Sequence, residues 1–275
     1  MLIKKLYKTR HWLKSNLKEQ SYIKEIRAID HPTLTAVLET FLQVKTSDFD
    51  QEDFKVFSTI KKYRNYLETN TSKIDYSVFG IKDRTVNEIY RSASSPEIWS
   101  RFHYLLAKNL GVKNYLEIGT NLGISGSYII SALSKQSDFK FLTMEGIEGL
   151  SDLAETQFMT LTQPENFEII RGLYDQTFPE LLQKEIVFEV CFIDGNHHYE
   201  PTLQYFEKLK EKTAEVAVFI FDDIYWNDEM VKVWEVIKKD KATTFALDLF
   251  KMGIIILDQK ENRHKSDFNF FLTKI

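Results

Sequence analysis

Cysteine is nearly missing from this chain. One, Cys191, stands among 275 residues, so no intrachain disulfide can form and a reducing compartment is expected. It lies inside the apolar run Val187 to Ile193 and reads as a buried strand residue rather than a nucleophile, because no base is evidently paired with it. Long hydrophobic runs are missing too. None approaches the roughly 18 residues that a membrane span needs, and the lysine-bearing start lacks the continuous apolar stretch of a signal peptide. The expectation is a soluble, cytoplasmic protein. Nor is there an excess of charge of one sign. With 36 basic and 40 acidic residues the formal net charge is −4, which gives no reason to expect a nucleic-acid partner. Internal repeats and low-complexity tracts are also absent. What is present, 43% hydrophobic and 28% charged residues, is enough for a full core.

Residues 1 to about 110 read as helices. Leu2, Leu6, Leu13 and Leu17 share one helical face, with Lys4, Lys5, Lys8, Arg10, Lys14 and Lys18 around the rest, as amphipathic spacing requires. Leu34, Val37, Leu38, Phe41 and Leu42 form a second stripe after Pro32, and Phe57, Ile60 and Leu67 suggest a third helix. A fourth has a defined start and stop, with Ser95 as N-cap, Pro96 at the first helical position and Gly111 just past the end. From residue 114 the pattern changes. Seven apolar runs, Tyr115–Ile118, Phe141–Met144, Phe167–Ile170, Val187–Ile193, Val216–Phe221, Thr244–Leu247 and Ile254–Leu257, alternate with amphipathic stretches. Strands separated by helix-length connections predict a mostly parallel sheet covered on both faces. The last two runs are joined too closely for a crossover helix and must pair antiparallel. The division expected is a helical N-terminal extension over 1–94 and an α/β domain over 95–275.

The segment Asn-Tyr-Leu-Glu117-Ile-Gly119-Thr120-Asn-Leu-Gly123-Ile-Ser125 runs from an apolar strand through two glycines into a helix. Such a turn lets a nucleotide-like ligand approach bare backbone at the end of a strand. The spacing is Glu-x-Gly-x-x-x-Gly, not the Gly-x-Gly-x-x-Gly of dinucleotide sites. Acidic residues end four strands at that edge: Glu117, Glu145, Asp194 and the pair Asp222–Asp223. A carboxylate after the second strand can accept both ribose hydroxyls, the role read for Glu145. Asp194, Asp222 and Asp223 could converge on a hard divalent cation such as Mg, which prefers carboxylate oxygen; the competing accounts are a pair of hydrogen-bonded loop acids, or Asp222 or Asp223 as a cap of the following helix. Asn227 is the better cap for the helix that follows, with Asp228 and Glu229 suiting its first turn. Either His197 or His198 could act as general base or sit plainly on the surface.

These motifs carry a resemblance. Residues 114–260 resemble a class I S-adenosylmethionine-dependent methyltransferase, nearest in pattern to the catechol O-methyltransferase-like and related small-molecule O-methyltransferases. The resemblance implies a Rossmann-like seven-stranded sheet whose last strand is antiparallel. It implies a cofactor site made by Glu117, Gly119, Thr120, Gly123, Ser125, Glu145, Gly172, Leu173, Tyr174 and Asp194. Ser125 would touch the methionine end, Glu145 the ribose, and Gly172-Leu173-Tyr174 the adenine. Asp194, Asp222 and Asp223 match the metal ligands, with aspartate where the catechol enzymes have asparagine. His197 stands where those enzymes have a basic lysine and becomes the catalytic base beside Asp194. The function implied is methyl transfer to a hydroxyl of a small molecule. A cofactor-binding assembly or regulatory module without catalysis is the rival, motivated by the helical extension. A nicotinamide-dependent oxidoreductase comes third, disfavoured by the glycine spacing. The basic first helix is read as a solvated helix packed on its own domain, ahead of a membrane-surface anchor or a contact in a homo-oligomer. Trp99, Arg101, Tyr225 and Trp226 flank the strand ends but are equally normal core residues.

Overall fold

The computed structural model describes residues 2–272, with the side chains of residues 2–7, 10 and 265–267 outside the description. The elements begin with α1 (Leu2–Ile29), α2 (Pro32–Thr46), α3 (Gln51–Thr69), β1 (Lys73–Ile74), β2 (Arg84–Thr85), α4 (Val86–Ala93) and α5 (Glu97–Leu110). They continue with β3 (Asn114–Ile118), α6 (Ile124–Leu133), β4 (Lys140–Glu145), α7 (Glu148–Phe158), β5 (Phe167–Arg171) and α8 (Tyr174–Gln183). The remainder is β6 (Phe188–Ile193), α9 (Tyr199–Leu209), β7 (Thr213–Asp222), α10 (Asp228–Ile237), β8 (Thr243–Asp248), β9 (Met252–Asp258) and β10 (Lys265–Asn269). Two compact units result, Thr46–Glu185 and a composite of Met1–Lys45 with Ile186–Ile275.

In the Thr46–Glu185 unit β3, β4 and β5 run parallel and in step, Glu117 opposite Thr143 and Glu145 opposite Arg171. Parallel strands need covered faces, and the sequence supplies them: four of the five β3 residues are buried, as are Ile124 to Ile130 on α6. Helix starts here are set by side chains. Asp50 and Asp53 form a capping box on α3, and Thr85 with Glu88 does the same for α4, each satisfying backbone donors that the first turn leaves over. α5 starts one residue later than its spacing suggests, with Pro96 rather than Ser95 at the N-cap. The Ser95 carbonyl instead accepts from the Arg64 guanidinium at 3.0 Å. Gly111 ends α5 at φ 63°, its N–H returning to Ala107 and Lys108, a left-handed cap that glycine adopts without Cβ strain. The expected packing of Phe57, Ile60 and Leu67 holds, all three being buried.

The composite unit orders its strands β6, β7, β9, β8, β10. β6 lies parallel to β7 and β10 parallel to β8, while β9 runs antiparallel to both β7 and β8. All seven expected strands form, and the α/β, mostly parallel, Rossmann-like reading stands. β10 is an eighth. Its sequence, Lys-Ser-Asp-Phe-Asn, holds a single apolar residue, so no hydrophobic run announced it. α1 departs from expectation. Leu13 and Leu17 are 49% and 84% exposed, and Leu2 and Leu6 lie outside the described side chains. The buried face is His11, Ser15, Tyr22, Ile23 and Ile26. β10 selects it: the Tyr22 ring lies 5.8 Å from both Phe268 and Phe270, and the Phe270 carbonyl meets His11 Nε2 at 2.8 Å. Aromatic rings bury more area than the leucine stripe offers. On α2, Leu34, Val37, Leu38 and Phe41 are buried as expected. Cys191 is fully buried on β6.

Candidate active site

Gly119 at φ 113° and Gly123 at φ 69° bound the loop that leaves β3, both in the left-handed half of backbone space that disfavours other residues. The loop is tied to the end of β4. The N–H groups of Gly119 and Thr120 both donate to the Met144 carbonyl, at 3.2 and 3.1 Å. The Thr120 hydroxyl meets Thr143 Oγ1 at 2.6 Å, and the Asn121 N–H reaches Glu145 Oε2 at 2.7 Å. Gly123 is also the N-cap of α6 and brings no side-chain cap, so the positive end of that helix opens beside the glycines.

Glu117 is wholly buried, and its two oxygens accept from Ser125 Oγ at 2.5 Å and Thr143 Oγ1 at 3.0 Å. It therefore ties β3, β4 and α6 together behind the loop. Glu145 is 6% exposed. Burial pushes its carboxyl above the usual range, against the pull of the Ile147, Asn121 and Gly146 N–H groups. Its carboxylate keeps acceptor capacity beyond the Asn121, Ile147 and Gly146 N–H groups, since a carboxylate offers about four lone-pair sites. Gly172, at φ 135°, donates its N–H to the Glu145 carbonyl at 2.9 Å. Leu173 caps α8, which Tyr174 begins. One unit thus gathers Glu117, Gly119, Thr120, Gly123, Ser125, Glu145 and Gly172 around two strand ends.

Thr143, Asn121 and a covering segment were not foreseen. Ile74 and Phe79 reach to 3.1 and 3.6 Å of where Cβ atoms on Gly149 and Gly146 would stand. Tyr76, 9% exposed, lies close enough to Glu145 to feel its charge. Asn121 Oδ1 is buried there with no hydrogen-bond partner. The alternation of Ile74, Tyr76 and Val78 is the signal that was available, and it is too short to separate from a loop.

The composite unit carries the second cluster. Asp194 follows β6, and its Oδ1 lies 3.4 Å from His197 Nε2. His197 and Asn196 take φ of 45° and 64°, and the His197 carbonyl accepts from Asn227 Nδ2 at 3.0 Å. Asn227 also caps α10 by accepting from the Met230 N–H at 2.8 Å, the role expected of it. Burial alone would lower the His197 imidazole, but the hydrogen bond to Asp194 and the charges of Asp194, Asp222 and Asp223 hold it above its ordinary value. His198 stands apart, two-thirds exposed and paired with Glu229 at 3.2 Å. Asp222, 3% exposed, ends β7.

Between the acids lies an unforeseen residue. Lys251 Nζ is 2.5 Å from Asp222 Oδ2 and 3.1 Å from Asp223 Oδ1. Burial would lower its ammonium, yet Asp222 and Asp223 hold it well above the usual lysine value. Burial and Asp194 push Asp222 above the usual carboxylate range while Lys251 pulls it back. Among the described residues no three His, Cys, Asp or Glu side chains are arranged to hold a metal ion. The expected grouping of Asp194, Asp222 and Asp223 on a divalent cation fits poorly, because an ammonium already sits on two of the three carboxylates.

Residues 116–224 match the family described as a methyltransferase domain. No curated protein matches the chain. Among solved structures, the O-methyltransferase of Bacillus cereus with S-adenosylhomocysteine is 21% identical, with a TM-score of 0.51 over 61% of this chain and 83% of that one. TomG of Streptomyces achromogenes, an O-methyltransferase of tomaymycin synthesis with S-adenosylmethionine bound, is 18% identical over 60% and 81%, at 0.52. The Podospora anserina methyltransferase PaMTH1, bound to S-adenosylhomocysteine, is 16% identical over 74% and 96%, at 0.53. Among the described residues no helix is long and apolar enough to cross a membrane. Residues 116–224 thus match a methyltransferase domain, and the chain shares the fold of solved S-adenosylmethionine-dependent O-methyltransferases.

Proposed function

We propose that the chain is an S-adenosylmethionine-dependent methyltransferase acting on a hydroxyl of a small molecule, its catalytic domain spanning 95–275 and its helical extension 1–94. The observation that carries the reading is the β3–α6 turn, where Gly119 and Gly123 expose backbone beside an uncapped helix start and Glu145 stands at the end of the next strand. Those residues fit the cofactor. Glu145 would hold the ribose hydroxyls, Ser125 and the start of α6 the methionine end, and Gly172, Leu173 and Tyr174 the adenine. When bound, S-adenosylmethionine supplies a methyl group already activated by its sulfonium, so what the chain must add is alignment and removal of one proton. His197 takes that proton. With Nε2 turned toward Asp194, Nδ1 is the nitrogen left for the acceptor hydroxyl, and Asp194 fixes the ring as an orienting carboxylate.

Calorimetric titration with S-adenosylhomocysteine tests the cofactor half. Absence of binding would remove the proposal. Transfer of labelled methyl from S-adenosylmethionine to a panel of hydroxyl compounds tests the rest, and His197→Asn should abolish it while leaving cofactor affinity within a few-fold. Binding without transfer to any acceptor would favour the non-catalytic module instead.

A further inference from the structure

We propose that Lys251 is a built-in cation occupying the place where a divalent metal would otherwise bind between Asp222, Asp223 and Asp194. The placement comes from the backbone. β7 and β9 pair antiparallel with Asp222 opposite Met252, so the residue just before Met252 must emerge at the edge where Asp222 ends its strand. The turn that delivers it is fixed. Phe250 adopts φ 69°, its N–H donates to Asp248 Oδ1 at 2.9 Å, and the Lys251 N–H returns to Leu249 at 2.9 Å. The Phe250 ring stacks on Tyr225 at 5.0 Å and 14°, and the Tyr225 hydroxyl donates to Asp248 Oδ2 at 2.6 Å. Asp248 in turn lies 3.4 Å from His11 Nδ1. Lys251 is therefore a lysine aimed at its partners, with its side chain only 25% exposed.

Its ammonium lies against one oxygen of each of Asp222 and Asp223, and Asp194 is near enough for its charge to act on both Asp222 and Lys251. A magnesium ion drawing on these carboxylates would sit about 2.0–2.1 Å from their oxygens, and the one Asp222 oxygen without a hydrogen-bond partner, Oδ1, belongs to the carboxylate that Lys251 already holds through Oδ2. It would then share a carboxylate with a positive nitrogen, and the repulsion of like charges in a partly buried site opposes that. The lysine and the metal exclude one another. Lysine also leaves an N–H beyond the two used on Asp222 and Asp223, since an ammonium carries three donors.

The inference concerns cation occupancy and is read without methyl transfer, so its failure is separable from failure of the proposed function. Equilibrium dialysis against Mn²⁺ would be run on the wild-type chain, on Lys251→Ala and on Lys251→Ala/Asp222→Asn. Wild type is expected to take up no Mn²⁺ up to about 1 mM, a weak-site concentration. Lys251→Ala should bind at least about tenfold more tightly, and the added Asp222→Asn should abolish that gain. Mn²⁺ should also raise the melting temperature of Lys251→Ala and leave wild type unmoved. Stoichiometric binding to wild type that Asp222→Asn removes, or equal affinity of wild type and Lys251→Ala, would overturn the proposal. Should Lys251→Ala fail to fold, the wild-type comparison with Asp222→Asn decides alone.

Discussion

Gly123→Ala is the perturbation whose cost can be worked most directly from the geometry. A Cβ on Gly123 would stand 2.9 Å from Ala154 Cβ, 3.0 Å from Ala154 Cα and 3.1 Å from Phe158 Cε1. It would also hold an alanine at φ 69°. The left-handed conformation costs an L-residue about 1–2 kcal/mol. Forcing a methyl into a packed contact adds roughly 1–3 kcal/mol. The sum, roughly 2–5 kcal/mol, is a large part of the 5–15 kcal/mol or so by which domains are stable. At about 2–4 °C per kcal/mol it should be plain in a melting curve.

Gly126 supplies the control, because it faces the same wall without the strain. Its Cβ would lie 2.5 Å from Phe158 Cζ, and its φ is ordinary. Inside α6 the alanine gains about 1 kcal/mol of helix propensity, set against contact with two rings, Phe158 at 2.5 and 2.9 Å and Phe141 Cε1 at 3.1 Å. Phe158→Leu removes the closer ring and leaves Phe141 Cε1 at 3.1 Å. Gly126→Ala should then lose most of its penalty in the Phe158→Leu background, whereas Gly123→Ala should stay costly, since Ala154 and the backbone angle remain. Urea titrations followed by fluorescence of the four tryptophans would give all the values, and the double-mutant cycle isolates the coupling. Equal rescue of both alanines by Phe158→Leu, or a Gly123→Ala penalty below about 1 kcal/mol, would refute the reasoning.

Other expectations follow from single groups. An ionised Glu145 accepts ribose hydroxyls better than a protonated one, and burial holds its carboxyl above the usual range. Affinity for S-adenosylhomocysteine should therefore start to fall at a higher pH than an ordinary glutamate would dictate, and a Glu145→Gln variant should lose this pH dependence; an unchanged profile in the variant would clear Glu145 of the role. Asn227→Ala removes both the cap of α10 and the hydrogen bond to the His197 carbonyl. It should cost about 1–2 kcal/mol in urea titrations, and a loss below a few tenths would count against the cap. Cys191 is fully buried and burial raises its thiol, so alkylation at pH 8 should proceed only as fast as the chain opens. Fast stoichiometric labelling of the native protein would contradict the packing.

The strands were legible because burial on both faces demands near-continuous apolar runs, and seven such runs stood between helix-length connections. β10 was not, because its order comes from β8 beside it and from aromatic rings on α1 and α2. Phe268 and Phe270 become core only when Tyr22 and Phe41 arrive from more than two hundred residues away. The face of α1 failed for the same reason. Periodicity offered a leucine stripe, but the burying surface rewarded aromatic area and a histidine that could satisfy the Phe270 carbonyl. Local pattern reports which faces a helix could bury. The partner decides which one it does.

The site shows the same division more sharply. A carboxylate that ends a strand is visible in sequence, because the apolar run stops at it, and so Glu145, Asp194 and Asp222 were all found. Their charge balance was not visible, because it is settled by register. Asp222 and Lys251 are 29 residues apart, and only the antiparallel pairing of β7 with β9, closed by a left-handed residue at Phe250, brings them to one edge. Counting acids at strand ends therefore leads to a metal, and counting the hairpin as well leads to an ammonium. The two differ by one unit of charge and by coordination: a divalent ion would gather several oxygens, while lysine directs each N–H to one. If Lys251 holds that place, chelators should leave methyl transfer untouched, and Lys251→Ala should be the variant in which Mn²⁺ begins to matter.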